Sequence, residues 1–145
     1  MAGIEDVVAS SMSINSRLPA QLEKAIERNI VLRIGWTTSG EPVPKEGELG
    51  LCPNLPEGSK VRSLGYLGSF TAAFGQGGTY THQGDVGSFL GAGNNGNQIT
   101  CERTAGPCAG YGQKSGRITI LDGAGSDAGA KMSGGLLIIR GDAGI

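Results

Sequence analysis

Chemistry in this sequence has few places to reside: one histidine, three cysteines, a glycine-spaced loop and a set of aspartates in turn-like segments. His82 is the sole histidine, so several imidazoles cannot be gathered around a metal. Cys52, Cys101 and Cys108 are odd in number and lack metal-ligand spacing. Cys108 sits in a turn-like stretch, where a thiol could be exposed. A nucleophilic cysteine wants a histidine base within hydrogen-bond reach, and His82 lies in a different, strand-like segment. Cys101 alternates with apolar residues and reads as a small buried hydrophobe. Gly91-Ala92-Gly93-Asn94-Asn95-Gly96 matches G-x-G-x-x-G, but a dinucleotide site needs that loop between a strand and a helix, and no βαβ pattern surrounds it. Arg140-Gly141-Asp142 spells an adhesion tripeptide. Asp85, Asp122, Asp127 and Asp142 could pair as acid and base, yet aspartate in a turn more often bonds backbone. Asn94, Asn95 and Asn97 read as turn or stacking residues. No serine stands in G-x-S-x-G. Catalytic, cofactor-binding and metal-ligating residues are therefore expected to be absent from this chain.

The elements that would carry these residues explain most of them away. The chain has 145 residues, a formal net charge of −1 and 27 glycines, more than twice the usual glycine share. A near-neutral charge offers no basic field for a nucleic-acid backbone. No stretch is apolar enough for a membrane helix. The N-terminus lacks a basic region followed by an apolar run, so it does not read as a secretory signal. Unpaired cysteines then fit a reduced, cytoplasmic setting.

From Gly65 onward a 19-residue period runs without a gap: Gly65–Gln83, Gly84–Glu102, Arg103–Leu121 and Asp122–Arg140, with a fifth copy opening at Gly141. Position 4 is always glycine (Gly68, Gly87, Gly106, Gly125, Gly144). Position 3 is always apolar (Leu67, Val86, Ala105, Ala124, Ala143). Positions 8 and 14 hold mainly residues that tolerate positive φ. Positions 16 and 18 carry Tyr80/His82, Ile99/Cys101, Ile118/Ile120 and Leu137/Ile139, the period-2 pattern of a strand buried on one face. One short strand and tight turns per copy imply a solenoid. The expected fold is mainly β: a single-stranded β-helix over residues 61–145. Its core ladder is expected to include Ile99, Ile118, Ile120, Leu137 and Ile139. The glycine columns are expected to let each coil turn sharply. The same register absorbs the apparent nucleotide and adhesion motifs, since Gly91 lies in a repeat column and Arg140–Asp142 spans a junction between copies.

Residues 1–60 read as an N-terminal arm. Residues 14–29 predict a short amphipathic helix with Leu18, Leu22, Ala25 and Ile26 on one face, Pro19 in its first turn and Asn29 as its exit. That helix is either a cap over the first coil, the favoured reading, or a docking helix for another subunit. Residues 1–13 give no strong signal. Ile30–Ile34 is a short β-rich run over which Trp36 can pack. Residues 37–59, with Pro42, Pro44, Pro53 and Pro56, read as an irregular surface connector.

Gly84–Gly91 and Met132–Gly144 carry a pattern, G-D-x-G-x-x-x-G with G-G-x-[IL]-x-I, that resembles the GXGXG repeat. That repeat forms the C-terminal domain of the glutamate synthase large subunit and the corresponding subunit of N-methylglutamate synthase. It also forms the repeat-bearing subunit of formylmethanofuran dehydrogenase and of its formyltransferase/hydrolase relatives. The resemblance covers about residues 61–145. Ile14-Asn15-Ser16-Arg17-Leu18 more weakly resembles the lead-in of the glutamate-synthase branch. The resemblance implies a right-handed β-helix that scaffolds a multi-subunit amidotransferase/FMN oxidoreductase complex. Partner subunits would hold FMN and iron–sulfur centres, or molybdenum or tungsten in the formylmethanofuran alternative. The sequence departs from the pattern at Arg103 and Asp122, which replace glycine at position 1, and at Tyr80/His82, which put bulky polar groups on the strand. A β-helix end left open would expose strand groups to a protein partner, to a second copy or to further chain. A stand-alone hydrolase using Cys108 or an aspartate is the alternative from another class.

Overall fold

In the computed structural model, residues 3–36 and 47–143 are described; Pro42, Pro44 and Gly144 fall outside them. Among the described residues one helix, α1 (Ile4–Arg28), precedes eight strands. These are β1 (Leu32–Ile34), β2 (Lys60–Leu64), β3 (Thr79–Gln83), β4 (Asn95–Cys101), β5 (Ser115–Ile120), β6 (Gly123–Ala124), β7 (Leu136–Ile139) and β8 (Asp142–Ala143).

Each copy of the repeat contributes one strand, and successive strands stack in parallel in the order β1-β2-β3-β4-β5-β7. The register repeats the sequence period: Tyr80 pairs with Ile99, Ile99 with Ile118 and Ile118 with Leu137. The result is a β-solenoid of about four turns with coils of about 19 residues. Side chains alternate across each strand, so positions 16 and 18 point inward. Ile99, Ile118 and Ile120 are buried there, while Leu137 and Ile139 on β7 pack partly buried against the same core. Position 3 builds a second ladder, running from Leu67 through Val86 and Ala105 to Ala124 and on to Ala143.

The position-4 glycines serve a different purpose from the sharp turning expected of them. Gly68, Gly87, Gly106 and Gly125 do not adopt positive φ. They lie against the backbone of the preceding coil, where a Cβ on Gly87 would stand 2.9 Å from Gly68 C and 3.0 Å from Ser69 N. The turning is done at positions 6, 8 and 10. Position 8 is left-handed throughout, even at Ala72 (φ 57°). At position 14, Gly78, Gly116 and Gly135 have positive φ, but Asn97 does not. A register shift between Asn95 and Gln98 moves the positive φ to Gly96 instead.

The stack begins earlier than its sequence signature. Residues 47–59 form a further coil rather than an irregular connector. Glu48 pairs with Leu67 across the 19-residue offset. Gly68 N donates to Glu48 O at 2.7 Å, Ala72 N to Leu51 O at 2.8 Å and Gln76 N to Leu55 O at 2.7 Å. Leu51, Cys52 and Leu55 are fully buried. β1 adds one more rung, with Leu32 opposite Val61.

α1 is also longer than the helix predicted over 14–29, and Pro19 lies inside it rather than in its first turn. Its buried face runs Val7, Ser11, Ile14, Leu18, Leu22 and Ala25 at helical spacing. A mid-helix proline costs about 3 kcal/mol. Burying side chains such as Ile14, Leu18 and Leu22 returns roughly 1.5–3 kcal/mol each, enough to carry the helix through. Polar clips fix it to the 47–59 coil: Asn15 Nδ2 donates to Gly50 O at 2.8 Å, and Leu49 N donates to Ser11 Oγ at 3.0 Å. Asn29 ends the helix in the left-handed conformation, its N–H directed at Ala25 O and Ile26 O. α1 thus shares one continuous core with the first coils and covers them as a cap.

Candidate functional site

Stacking by nineteen residues brings Ser63, Tyr80 and His82 together inside the solenoid. Ser63 and His82 occupy position 18 of adjacent coils, and Tyr80 occupies position 16. All three are fully buried. Ser63 Oγ lies 2.5 Å from Tyr80 Oη and 2.7 Å from His82 Nδ1. A circuit in which Tyr80 donates to Ser63 and Ser63 donates to Nδ1 links the three side chains and leaves the proton on Nε2. Nε2 is itself buried without a hydrogen bond. Burial pushes the imidazole pKa below its ordinary 6.5, an effect that the nearby backbone of Gly65 and Asp85 offsets only in part. Burial likewise pushes the Tyr80 phenol well up.

A serine within reach of a histidine is the arrangement that activates a nucleophile. Here it cannot act as one, because the hydroxyl is sealed under stacked coils and already bonded to Tyr80. The triad is an interior polar network. Tyr80 and His82 stood out in the sequence as bulky polar residues on a strand. Ser63 was missed because its coil was not recognised as part of the repeat; aligning residues 46–64 with the next copy would have placed it beneath His82.

Two of the three cysteines are equally quiet. All three thiols are free. Burial drives the Cys52 pKa up to about 12 and that of Cys101 to about 11, so neither supplies thiolate near neutrality. Cys108 is half-buried at a coil corner. In native protein, an aromatic disulfide reagent is expected to titrate one thiol, Cys108, and to reach three only in denaturant. Two or more fast thiols in the native protein would contradict the burial of Cys52 and Cys101.

Of the turn aspartates, Asp85 clamps the next coil: its Oδ1 accepts from Thr104 N at 3.0 Å and from Thr104 Oγ1 at 2.7 Å. Those bonds hold its carboxyl below the ordinary 3.8. It lines a shallow cleft of about 350 Å³ with Glu102 and Arg103. Asp122 lies 3.8 Å from Arg103 on the exposed surface, where such pairs contribute little. Gly91–Gly96 forms a coil corner leading into β4, with no helix after it. Asn94 and Asn97 are buried there and tie coils together: Asn94 Nδ2 donates to Asn97 O and to Gln113 Oε1, and Asn97 Nδ2 donates to Gly77 O. Among the described residues, no group of three histidine, cysteine, aspartate or glutamate side chains could hold a metal ion. No helix among them is long and apolar enough to cross a membrane.

What the coil surface does expose is aromatic. Phe70, Phe74 and Phe89 are all the phenylalanines of the chain, and they gather with Tyr111 around a groove of about 560 Å³. Phe70 and Phe89, one coil apart, stack with centroids 4.7 Å apart and planes 2° from parallel, and Tyr111 meets Phe89 edge-on at 5.5 Å. Nothing in the sequence pattern singles these residues out.

Comparison with protein-family models, with curated proteins and with solved structures found no match. The class this fold defines is the β-solenoid itself, capped by a helix, with Ser63, Tyr80, His82 and two of its three thiols turned inward.

Proposed function

We propose that the chain is a non-catalytic scaffold, a β-helix subunit or domain of a larger glutamate-synthase-like enzyme complex. The observation that carries this reading is the solenoid's allocation of residues. Ser63, Tyr80, His82 and Cys101 on its strands are sealed in the core, while apolar side chains are displayed on α1 and β7. Ile4, Val8 and Met12 form an exposed stripe along α1 at i, i+4 and i+8, separate from the face that covers the coils. On β7, Leu136 and Ile138 face outward, 59% and 40% exposed. Exposed apolar surface of this kind marks protein contact. The outer edge of β7 pairs with no described strand, which suits addition of a strand from a partner, a second copy or further chain. FMN and iron–sulfur centres would reside on the partner subunits, in the cytoplasm.

Isolation at native levels from the source cell tests the proposal. A glutaminase-type and an FMN-type subunit are expected to co-purify in stoichiometric amounts. An amidohydrolase-like subunit with a formyltransferase would move the chain to the formylmethanofuran-dehydrogenase-like branch. Recovery as a stable lone monomer would count against both. Turnover of an ester or amide by the lone chain, abolished by Cys108→Ala, would replace the scaffold with a hydrolase.

A further inference from the structure

The backbone under the aromatic groove is left-handed, as positions 6 and 10 are in every copy, but here it carries residues ill suited to that conformation. Phe70 (φ 63°), Phe89 (φ 62°) and Phe74 (φ 58°) all adopt the left-handed region, where a bulky side chain is a genuine outlier. The columns themselves do not ask for phenylalanine. Position 10 is Phe74 in one coil but Gly93 and Gly112 in the next two, and position 6 passes from Phe70 and Phe89 to Cys108 and Asp127. Nor does burial compensate, since Phe70 is 46% and Phe74 55% exposed. Asp127 and Lys131 share these columns and this backbone, so what sets Phe70, Phe74 and Phe89 apart is that their exposed rings gather around one groove.

The groove has a shape and a charge. Its lining holds the Phe70–Phe89 stack, Tyr111 edge-on to Phe89, and Phe74. Ala92, Gly93 and Gly112 complete the lining; the position a Cβ would take on Gly112 is open space, whereas the one on Gly93 is filled by the Phe74 ring, 2.6 Å away. Aromatic side chains around an open groove accept the face of a ring. Lys114 stands at the margin, and no acidic residue lines the groove. Lys114 makes no ion pair among the described residues.

We propose that this groove is a binding site for a small planar aromatic anion, with the ring held against Phe70, Phe89 and Phe74 and the negative group beside Lys114. Such a site is independent of the scaffold role, because it needs no partner subunit.

The test uses the full chain and three probes: 2-naphthoate, neutral 2-naphthalenemethanol and non-planar cyclohexanecarboxylate. Binding is read by calorimetry and by the ring resonances of the phenylalanines and Tyr111. 2-Naphthoate is expected to saturate one site and to shift those resonances. Lys114→Gln is expected to weaken 2-naphthoate about fivefold, the scale of one exposed charge contact, and to leave the alcohol unchanged. Phe70→Gly/Phe89→Gly is expected to weaken it at least tenfold, as loss of a stacking platform does. Its Tm should stay within about 4 °C of the parent, because glycine relieves the φ strain as the ring contact is lost. Should that variant melt lower, Phe89→Asn, which tolerates the same φ, carries the comparison. Three results would overturn the proposal: no saturable shift at millimolar probe, shifts confined to other residues, or equal binding of all three probes. The first of these would leave the face to a macromolecular partner.

Discussion

Gly87→Ala is expected to lower stability by about 3 kcal/mol and Tm by roughly 10 °C. The added Cβ would sit 2.9 Å from Gly68 C, 3.0 Å from Ser69 N and 3.2 Å from Ser69 Oγ. Two of these are backbone atoms of the coil below, which cannot rotate away. Relief requires the coils to part, and the bond from Gly87 N to Leu67 O, 2.9 Å long, lies at that seam. The contrast is Gly112, whose φ is +67° but whose Cβ position is empty. There alanine meets only the left-handed backbone cost, about 1–2 kcal/mol, and asparagine less. Thermal melts of Gly87→Ala, Gly87→Asn, Gly112→Ala and Gly112→Asn check this. Asparagine should improve on alanine at 112 and fail at 87. If Gly87→Asn melts close to the parent, close approach between coils is not what the position-4 column requires.

That distinction shows what the sequence could and could not reveal. A 19-residue period is a direct image of stacking, because each coil lies on the last at a fixed offset. Thr79–Gln83, Asn95–Cys101, Ser115–Ile120 and Leu136–Ile139 therefore appear as strands where alternation marks them. Glycine recurrence alone cannot say whether a site needs positive φ or merely space, and position 4 needs space. The 47–59 coil was hidden because Leu49 and Glu48 stand where later copies have glycine and an apolar residue, and because Pro53 and Pro56 look like breakers. It stacks all the same, since backbone bonds to Leu51 and Leu55 do not depend on the repeat signature. The first half of α1 was hidden because Ser11 breaks the apolar stripe; Ser11 is buried and occupied by Val7 O and Leu49 N. The aromatic groove was least legible. Three phenylalanines at positive φ run against local preference, and only the fold shows that Phe70 and Phe89 are neighbours.

The interior network supplies the second large effect. His82→Ala should cost about 3 kcal/mol, since it opens a cavity and strips Ser63 of a partner in a sealed site. Replacing the whole network by Ser63→Ala, Tyr80→Phe and His82→Leu should recover most of that loss, because removing both ends of a buried hydrogen bond can be nearly neutral. Later coils already place Ile120 and Ile139 at this position. Acid titration separates this network from the surface. Because burial lowers the His82 pKa in the fold, the unfolded chain binds more protons once pH falls below 6.5. Stability is then fully present above that pH and declines as pH drops toward the folded value, by about 1.4 kcal/mol per pH unit while the folded imidazole stays neutral. Asp85 acts in a lower window. Its carboxyl is held below 3.8 by Thr104, so its contribution persists above that pH and is lost only as pH falls through the folded pKa. Denaturant titrations from pH 8 to pH 3 should show both declines in the parent and only the lower one in the triple variant. A triple variant that still weakens between pH 6.5 and pH 5 would mean that His82 is not the group taking up the proton, and the sealed circuit through Ser63 would lose its support.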